Sequence, residues 1–405
     1  MEEVTAMRQP NPAPAAPNSG LRAAIEALPS SKIREIAHAG MGRDDVVALW
    51  FGEPDTPTPG FICDAAARAL AAGDTFYQPN PGIPELRAAL AEYMNGLYGT
   101  RLSADNVIVS ASAMNALMLA MQALVDPGDV VVTTTPAWPN LPAVPQILSG
   151  VIRSVPLTPG NLDWRLDLDR LFDACDARTR AIFLNSPNNP TGWMMSAEQQ
   201  KDVLAFARER GIWVVSDEVY ARIVYDRRHA PSFLEHAEPE DRLIVVNSFS
   251  KTWSMTGWRL GWITAPAALA PCFEMLTEYN IAGPPGFVQR AGIVAVQHGE
   301  PFVAEIVARY RAARDLVSER AGAIPRLSLP MPEAAFYAFI RVEGMHDSVA
   351  FAKDLLATGG VGLAPGAAFG DGDHRFDDYL RLCFAATLPT LERAFERLAA
   401  YMASA

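Results

Sequence analysis

One pattern restricts this chain more than any other. Short, uninterrupted β-branched runs alternate with amphipathic stretches long enough for three or four helical turns. From residue 107 the order is VIVSAS, then the helical AMNALMLAMQALV, VVVTTTP, RAIFLNSPNNPTG, the helix SAEQQKDVLAFARER, then WVVSDEVY, LIVVNSFSK and RLGWITA. A strand with one wet face alternates polar and apolar residues; runs without alternation are buried on both faces, and the intervening helices supply the cover. The fold class is therefore α/β, a large domain with a mostly parallel sheet flanked by helices, placed at residues 66–290. A chain of 405 residues exceeds what one core usually holds, so a second unit is expected. After Pro284-Pro285 a helical stretch runs to about 322. PEAAFYAFIRV, a helix near 348–358, VGLAPGAAFG, YLRLCFA and a terminal helix from Pro389 then form a smaller α+β piece, residues 291–405. Residues 21–65 are expected to pack with it: helical pieces broken at Pro29, then a strand running into a Gly/Pro loop in DVVALWFGEPDTPTP. Residues 59–73 and 84–98 carry apolar residues at helical spacing, and residues 1–20, biased to Pro, Ala and Asn, form a flexible N-terminal arm.

Composition narrows the function classes. A net charge of −12 argues against nucleic acid or an anionic membrane as the main partner. The four cysteines are far apart without CxxC spacing and the six histidines are scattered. They predict reduced thiols and no metal site. No apolar run approaches the length of a spanning helix, and the N-terminus lacks a signal-peptide core. A cytoplasmic protein is expected. No internal repeat is visible and no helix-turn-helix segment precedes the α/β core.

Ligands of open α/β sheets bind beyond the carboxyl ends of the strands. Ser112, Asn189, Asp217, Ser248 and Lys251 all follow strand runs directly, so several strands deliver polar groups to one rim. Each has a plainer reading alone: Ser112 as an ordinary helix N-cap, Lys251 as a rim lysine lying on tryptophan, Asp217 as a structural acid. The stretch NSFSKTWSMTGWRLGW, residues 247–262, sharpens the picture. Lys251 sits among aromatic rings eight residues before Arg259, where desolvation and like charge lower its pKa. A neutral lysine amine can form a Schiff base. A buried carboxylate, Asp217, can keep a ring nitrogen protonated. Together they meet the needs of pyridoxal phosphate, whose phosphate would take Arg259 and the amides and hydroxyl of Ser112, Ala113 and Met114 at a helix N-terminus.

With those residues in place, the sequence resembles the class I/II pyridoxal-phosphate aminotransferases, the aspartate aminotransferase superfamily of fold type I. The resemblance runs from about residue 28 to the C-terminus. It is carried by GEPDTPTP (52–59), YQPNPGIPELRAAL (77–90), DPGD (126–129), NSPNNPTG (185–192), SDEVY (216–220), SKTWSMTGWRLG (250–261) and YLRLCFA (379–385). It implies Lys251 as the Schiff-base lysine and Asp217 as the partner of the pyridine nitrogen. Tyr220 and Asn189 fall where the family contacts the phenolic oxygen, Ser248 and Arg259 where it holds the phosphate. Trp138 falls where an aromatic stacks on the cofactor ring. Gly52 and Arg381 resemble substrate-binding residues, Arg381 as the clamp of the α-carboxylate. Tyr77 resembles a tyrosine that reaches the neighbouring subunit's phosphate, which implies a homodimer with shared active sites.

The implied activity is transfer of an amino group between an L-amino acid and a 2-oxo acid. The same fold also hosts C–S β-lyases and decarboxylases, the alternative outcome, and cofactor-binding regulatory domains, against which the acidic charge argues. Two positions depart from the bacterial aspartate-specific pattern. Met114 stands where a lysine helps recognise a distal carboxylate, and Lys32 stands where a small hydroxylic residue is usual. Lys32 either replaces that cation or faces solvent. Phe51, Trp50, Trp253 and Met114 instead offer an apolar side-chain pocket, with Trp253 either in that pocket or in the wall behind it.

Overall fold

A computed structural model describes residues 20–160 and 163–404; the expected N-terminal arm, residues 1–20, lies outside the described residues except for Gly20. At the centre is a seven-stranded sheet. Its order is Val107–Ser110, Gly261–Thr264, Leu243–Ser248, Trp213–Asp217, Thr179–Asn185, Val130–Thr135 and Val151–Pro156. Every neighbouring pair is parallel except those made by Gly261–Thr264, which runs antiparallel to both its partners. The expected α/β class with a mostly parallel sheet is the one observed.

The two-residue period of a strand sorts the side chains into two cores. Ile108, Val131, Phe183, Val215 and Val246 pack with Leu117, Ala120 and Met121 of the helix Ala113–Leu124. Their chain neighbours Val109, Val132, Leu184, Val214 and Val245 pack on the opposite face with Val203, Leu204 and Ala207 of the helix Ala197–Arg210. That helix starts where the sequence marks it, at a capping box in which Ser196 and Gln199 exchange side-chain and backbone hydrogen bonds. Full burial of each large aliphatic side chain contributes roughly 1.5–3 kcal/mol, so both faces must be covered for the sheet to persist. The seventh strand, Val151–Pro156, was not expected. It lies at the sheet edge with mixed exposure and includes Arg153 and Ser154, so it lacks the continuous apolar run of its neighbours.

A second, four-stranded antiparallel sheet has the order Leu327–Ser328, Tyr337–Val342, Tyr379–Cys383, Ala364–Pro365. Val47–Ala48 pairs in parallel with Val361–Gly362. Ile36, Val47, Leu49 and Trp50 share a hydrophobic cluster with Ile306, Tyr310, Ile340, Leu363 and Phe395, so the N-terminal segment and the C-terminal third bury one another. The helices Gly60–Ala71 and Gly286–His298 pack together and join the core of the large sheet through Ile62 and Ala291. Residues 65 and 66 lie inside the first of these helices, and residues 290 and 291 inside the second. The expected long helix to about 322 is two, Gly286–His298 and Glu300–Ala323, meeting at Gly299. Pro301 in the first turn of the second has no N–H to continue the first.

Candidate active site

The strand register aligns the carboxyl ends at one rim. Asn185 pairs with Asp217, and Gly261, the first residue of the antiparallel strand, pairs with both Ser248 and Ser110. Beyond this rim lies a cavity of about 350 Å³. Its wall includes Phe51, Gly52, Ala113, Met114, Trp138, Asn189, Asp217, Tyr220, Ser248, Lys251, Arg259 and Arg381, so twelve of the residues singled out in the sequence meet there.

Lys251 lies in the single helical turn Phe249–Thr252, begun by Ser248, whose hydroxyl accepts from the Ser250 N–H. Its Nζ donates to the Gly52 carbonyl at 2.6 Å. Burial lowers its pKa to about 8, and the positive charges of Arg381 and Arg259 act in the same direction. Asp217 ends its strand nearly sealed from solvent. Burial raises its carboxyl to about 7 against the opposing pull of the Val219 N–H and of Lys251. The Val219 N–H reaches its Oδ1 at 3.3 Å, and no ion pair holds it among the described residues. A buried carboxylate in that position lacks the cation it needs.

Around this pair the polar groups interlock. Asn185 donates from Nδ2 to the Asp217 carbonyl at 3.0 Å, and its Oδ1 accepts from the Asn189 N–H at 2.9 Å. Arg381 donates from Nη1 to Asn189 Oδ1 at 3.0 Å and from Nη2 to the Trp50 carbonyl. Its Nε is buried without a partner, and its guanidinium lies 4.7 Å from the Tyr337 ring and 5.0 Å from that of Phe369. An arginine in contact with two rings and hydrogen-bonded through both Nη atoms has little freedom to turn its fork. The Tyr220 and Tyr337 hydroxyls are 2.7 Å apart and their rings meet edge to face. Burial raises the pKa of both phenols, so both stay protonated. Gly52 is glycine for want of space: a Cβ there would lie 1.9 Å from the Tyr337 hydroxyl.

The remaining expected residues fall into three groups. Arg259, in left-handed backbone, gives one Nη to the Thr256 carbonyl at 2.6 Å and has no carboxylate partner among the described residues. Ser112 is buried with its hydroxyl accepting from the Asn115 N–H at 3.1 Å. It caps the helix, and the cavity wall here is made by Ala113 and Met114. Gly261 lets that helix start approach the sheet, since a Cβ there would sit 2.7 Å from the Ala113 nitrogen. Tyr77, by contrast, is 91% exposed and stands outside the cavity.

The apolar-pocket expectation divides. Phe51 and Met114 line the cavity, Trp50 and Trp253 do not. Trp253 is 1% exposed and packs between Tyr93 and Phe249, so it belongs to the core behind the site. Lys32 Nζ lies 3.4 Å from the Ala367 carbonyl, outside the wall. The sequence reading gave no role to several cavity residues, among them Asn185, Tyr337 and Arg34. Asn185 stands in the quoted NSPNNPTG and was legible there. Tyr337 sits mid-strand in an apolar run, and Arg34 lies in a charged helix turn, so neither carries a local signal.

A parallel sheet with a lysine of lowered pKa and an unpaired buried aspartate at its rim is the architecture of the aspartate aminotransferase fold. Aminotransferase class I and II is the family that matches residues 44–398. An aspartate aminotransferase of Pyrococcus horikoshii is 36% identical over 91% of this chain and 93% of its own length. Among solved structures, the aspartate aminotransferase of Thermus thermophilus with maleate superposes with a TM-score of 0.87 at 34% identity, covering 94% of this chain and 99% of that one. An alanine aminotransferase of Pyrococcus furiosus superposes with a TM-score of 0.88 at 26% identity, covering 95% and 100%. The chain belongs to the class I and II aminotransferases.

Proposed function

We propose that this aminotransferase holds pyridoxal phosphate in the rim cavity and exchanges an amino group between an L-amino acid and a 2-oxo acid. One observation carries the reading: a lysine brought down to about 8 and a buried carboxyl raised to about 7 face the same cavity, neither neutralised by an ion pair among the described residues. The cofactor fits what the cavity lacks. Asp217 needs a cation, which a protonated ring nitrogen supplies. Arg259 needs an anion, which the phosphate supplies beside Ser248 and the helix start at Ala113 and Met114. Tyr220 and Asn189 suit the phenolic oxygen, and Trp138 the ring face.

Bound pyridoxal phosphate supplies the electron sink that stabilises charge at the substrate Cα. The chain's own residues do the rest. Arg381, fixed between Tyr337 and Phe369, receives the substrate α-carboxylate. Lys251 would hold the cofactor, and its amine would serve as the general base for the Cα proton. Asp217 keeps its partner nitrogen protonated. Tyr337 holds the Tyr220 hydroxyl in place.

Lys251→Ala is expected to abolish the visible absorbance of the bound cofactor and to slow amino transfer by at least about 100-fold. A wild-type rate in that variant overturns the assignment. Release of ammonia and 2-oxo acid with no acceptor present would instead identify a lyase.

A cytoplasmic homodimer completes the reading. No helix among the described residues is long and apolar enough to cross a membrane. Phe76 and Tyr77 are exposed beside a segment that also exposes Met275, Tyr279 and Ile281, tied to it by Asn80 Nδ2 donating to Glu278 at 3.4 Å. A second copy covering this face would bring Tyr77 toward its neighbour's phosphate. The helix bounds favour a large unit running from Gly60–Ala71 through Gly286–His298, with the remainder as the smaller unit.

A further inference from the structure

Tyr220 and Lys251, both proposed to meet the cofactor, lie beyond the ends of their strands, Trp213–Asp217 and Leu243–Ser248. Ladder hydrogen bonds no longer fix the chain there, so other contacts must set where the two side chains stand. A closed circuit of contacts behind the rim does so. Arg222 is buried two residues after Tyr220, in a turn where the Ile223 N–H donates to the Tyr220 carbonyl at 2.8 Å. Its guanidinium grips Glu300 with both ends of its fork, Nη1 to Oε1 at 2.6 Å and Nη2 to Oε2 at 2.9 Å. Nη1 also donates to the Tyr93 hydroxyl, which itself lies 3.3 Å from Glu300 Oε1.

From Tyr93 the circuit passes to the lysine. The Tyr93 ring lies 5.6 Å from that of Trp253. Trp253 closes the turn that carries Lys251: its N–H donates to the Phe249 carbonyl at 3.3 Å and its ring packs on Phe249 at 5.1 Å. The circuit returns through Gly299, the residue before Glu300. The Trp253 indole lies so close to Gly299 that an added Cβ would collide with it. All this sits directly behind the rim. Val219 and Ser248 line the cofactor cavity and also a second space of about 20 Å³, whose wall includes Tyr93, Arg222 and Trp253. A buried guanidinium is costly unless a carboxylate meets it, so Arg222 keeps this position only while Glu300 does.

We propose that Arg222 and Glu300 are positioning residues: their ion pair, with Tyr93 and Trp253 packed against it, holds the Lys251 amine in register with Asp217 and Tyr220. The proposal rests on the aminotransferase reading and adds to it the contacts that fix its reacting groups. Neither residue touches the rim cavity. They act through the two turns, one carrying Tyr220 and the other Lys251.

The test compares the holoenzyme with Arg222→Gln, Arg222→Lys, Glu300→Gln and the double variant Arg222→Gln/Glu300→Gln. Glu300→Gln keeps the shape of a side chain that is 41% exposed, so folding is secure in at least that variant. Arg320→Gln is the control: it breaks the ion pair with Glu392 near the far end of the same helix, Glu300–Ala323. Turnover is followed with the amino acid that the wild type converts fastest. Two further readouts are the visible circular dichroism of the bound cofactor and the hydrogen exchange of the 249–253 amides in the cofactor-free proteins. Arg222→Gln and Glu300→Gln are each expected to lower kcat roughly 10-fold with KM within about two-fold, because a displaced reacting group is felt in turnover more than in binding. The double variant loses no more than the worse single, as expected of one coupled pair. Arg222→Lys recovers part of the loss. The dichroism weakens and exchange at 249–253 quickens in Arg222→Gln and Glu300→Gln, while Arg320→Gln changes neither. An unchanged kcat, a loss confined to KM, losses that add in the double variant, or an equal loss in Arg320→Gln overturns the proposal and leaves the aminotransferase reading intact. Failure of the wild type to transfer an amino group from any amino acid overturns both.

Discussion

At the residue scale, the site is built from groups held against their own preference. Asp217 is the clearest case. Its unfolded carboxyl ionises near 3.9, whereas in the folded chain burial keeps it protonated up to about 7. Between those values the unfolded state releases a proton that the folded state retains, so rising pH favours unfolding. The cofactor-free protein should therefore lose stability from about pH 4 to pH 7, by up to a few kcal/mol from this group. Glu218, raised to about 7 by burial, adds a slope of the same sign. Asp217→Asn removes the first contribution and keeps the second. Thermal melts of the cofactor-free variant should show a shallower pH dependence and a higher Tm than wild type at pH 8, with little difference at pH 4. Identical slopes would mean that Asp217 is not desolvated. Adding cofactor should reverse the order, because only the aspartate can pair with a protonated nitrogen.

At the element scale, function depends on how closely a helix start can approach a strand. The helix Ala113–Leu124 begins against Gly261, where an added Cβ would lie 2.7 Å from the Ala113 nitrogen and 2.9 Å from the Asn247 carbonyl. Both are backbone atoms and neither can rotate away. Gly261→Ala must push the helix start off the sheet, and with it the amides proposed to hold the phosphate. Affinity for pyridoxal phosphate, measured by equilibrium titration, is expected to fall at least about 10-fold, since one misplaced charge-assisted contact accounts for that much. Unchanged affinity would show that the helix start does not hold the phosphate. Much of this scale was legible beforehand. The strands ending at Ser110, Asn185, Asp217 and Ser248 were read from their apolar runs, and the helix Ala197–Arg210 from the amphipathic stretch between two of them. Val151–Pro156 was not, because an edge strand is half wet and lacks the pattern that marks its neighbours.

For the whole molecule, the site lies between two packing units. Lys251 on the large sheet's rim donates to Gly52, whose loop follows the strand Val47–Ala48. Arg381 on the small sheet donates to Asn189, in the turn that follows the strand Thr179–Asn185 of the large one. In the proposed dimer a second copy would be the remaining piece. The mass in solution, read by light scattering, is expected to be that of two chains, and Tyr77→Phe should weaken cofactor retention without dissociating them. A monomer with full activity would sink the shared-site reading.

The sequence by itself determined the layers, the rim and most of the residues on it. Period and run length report which face of a strand or helix is buried, and strand ends report where polar groups emerge. Those signals are local. They identified Lys251, Asp217, Asn189 and Ser248 as rim groups but could not say what lies across the gap from each. Only the tertiary structure set Tyr337 against Tyr220 and Gly52, turned Trp253 into the core, and brought Arg34 rather than Lys32 to the cavity wall. Adjacent residues on one helix turn point about 100° apart, so which of them faces the site depends on how that helix docks. Docking is decided by the fit of two separate hydrophobic cores, a property of the packed chain that no single stretch of sequence carries.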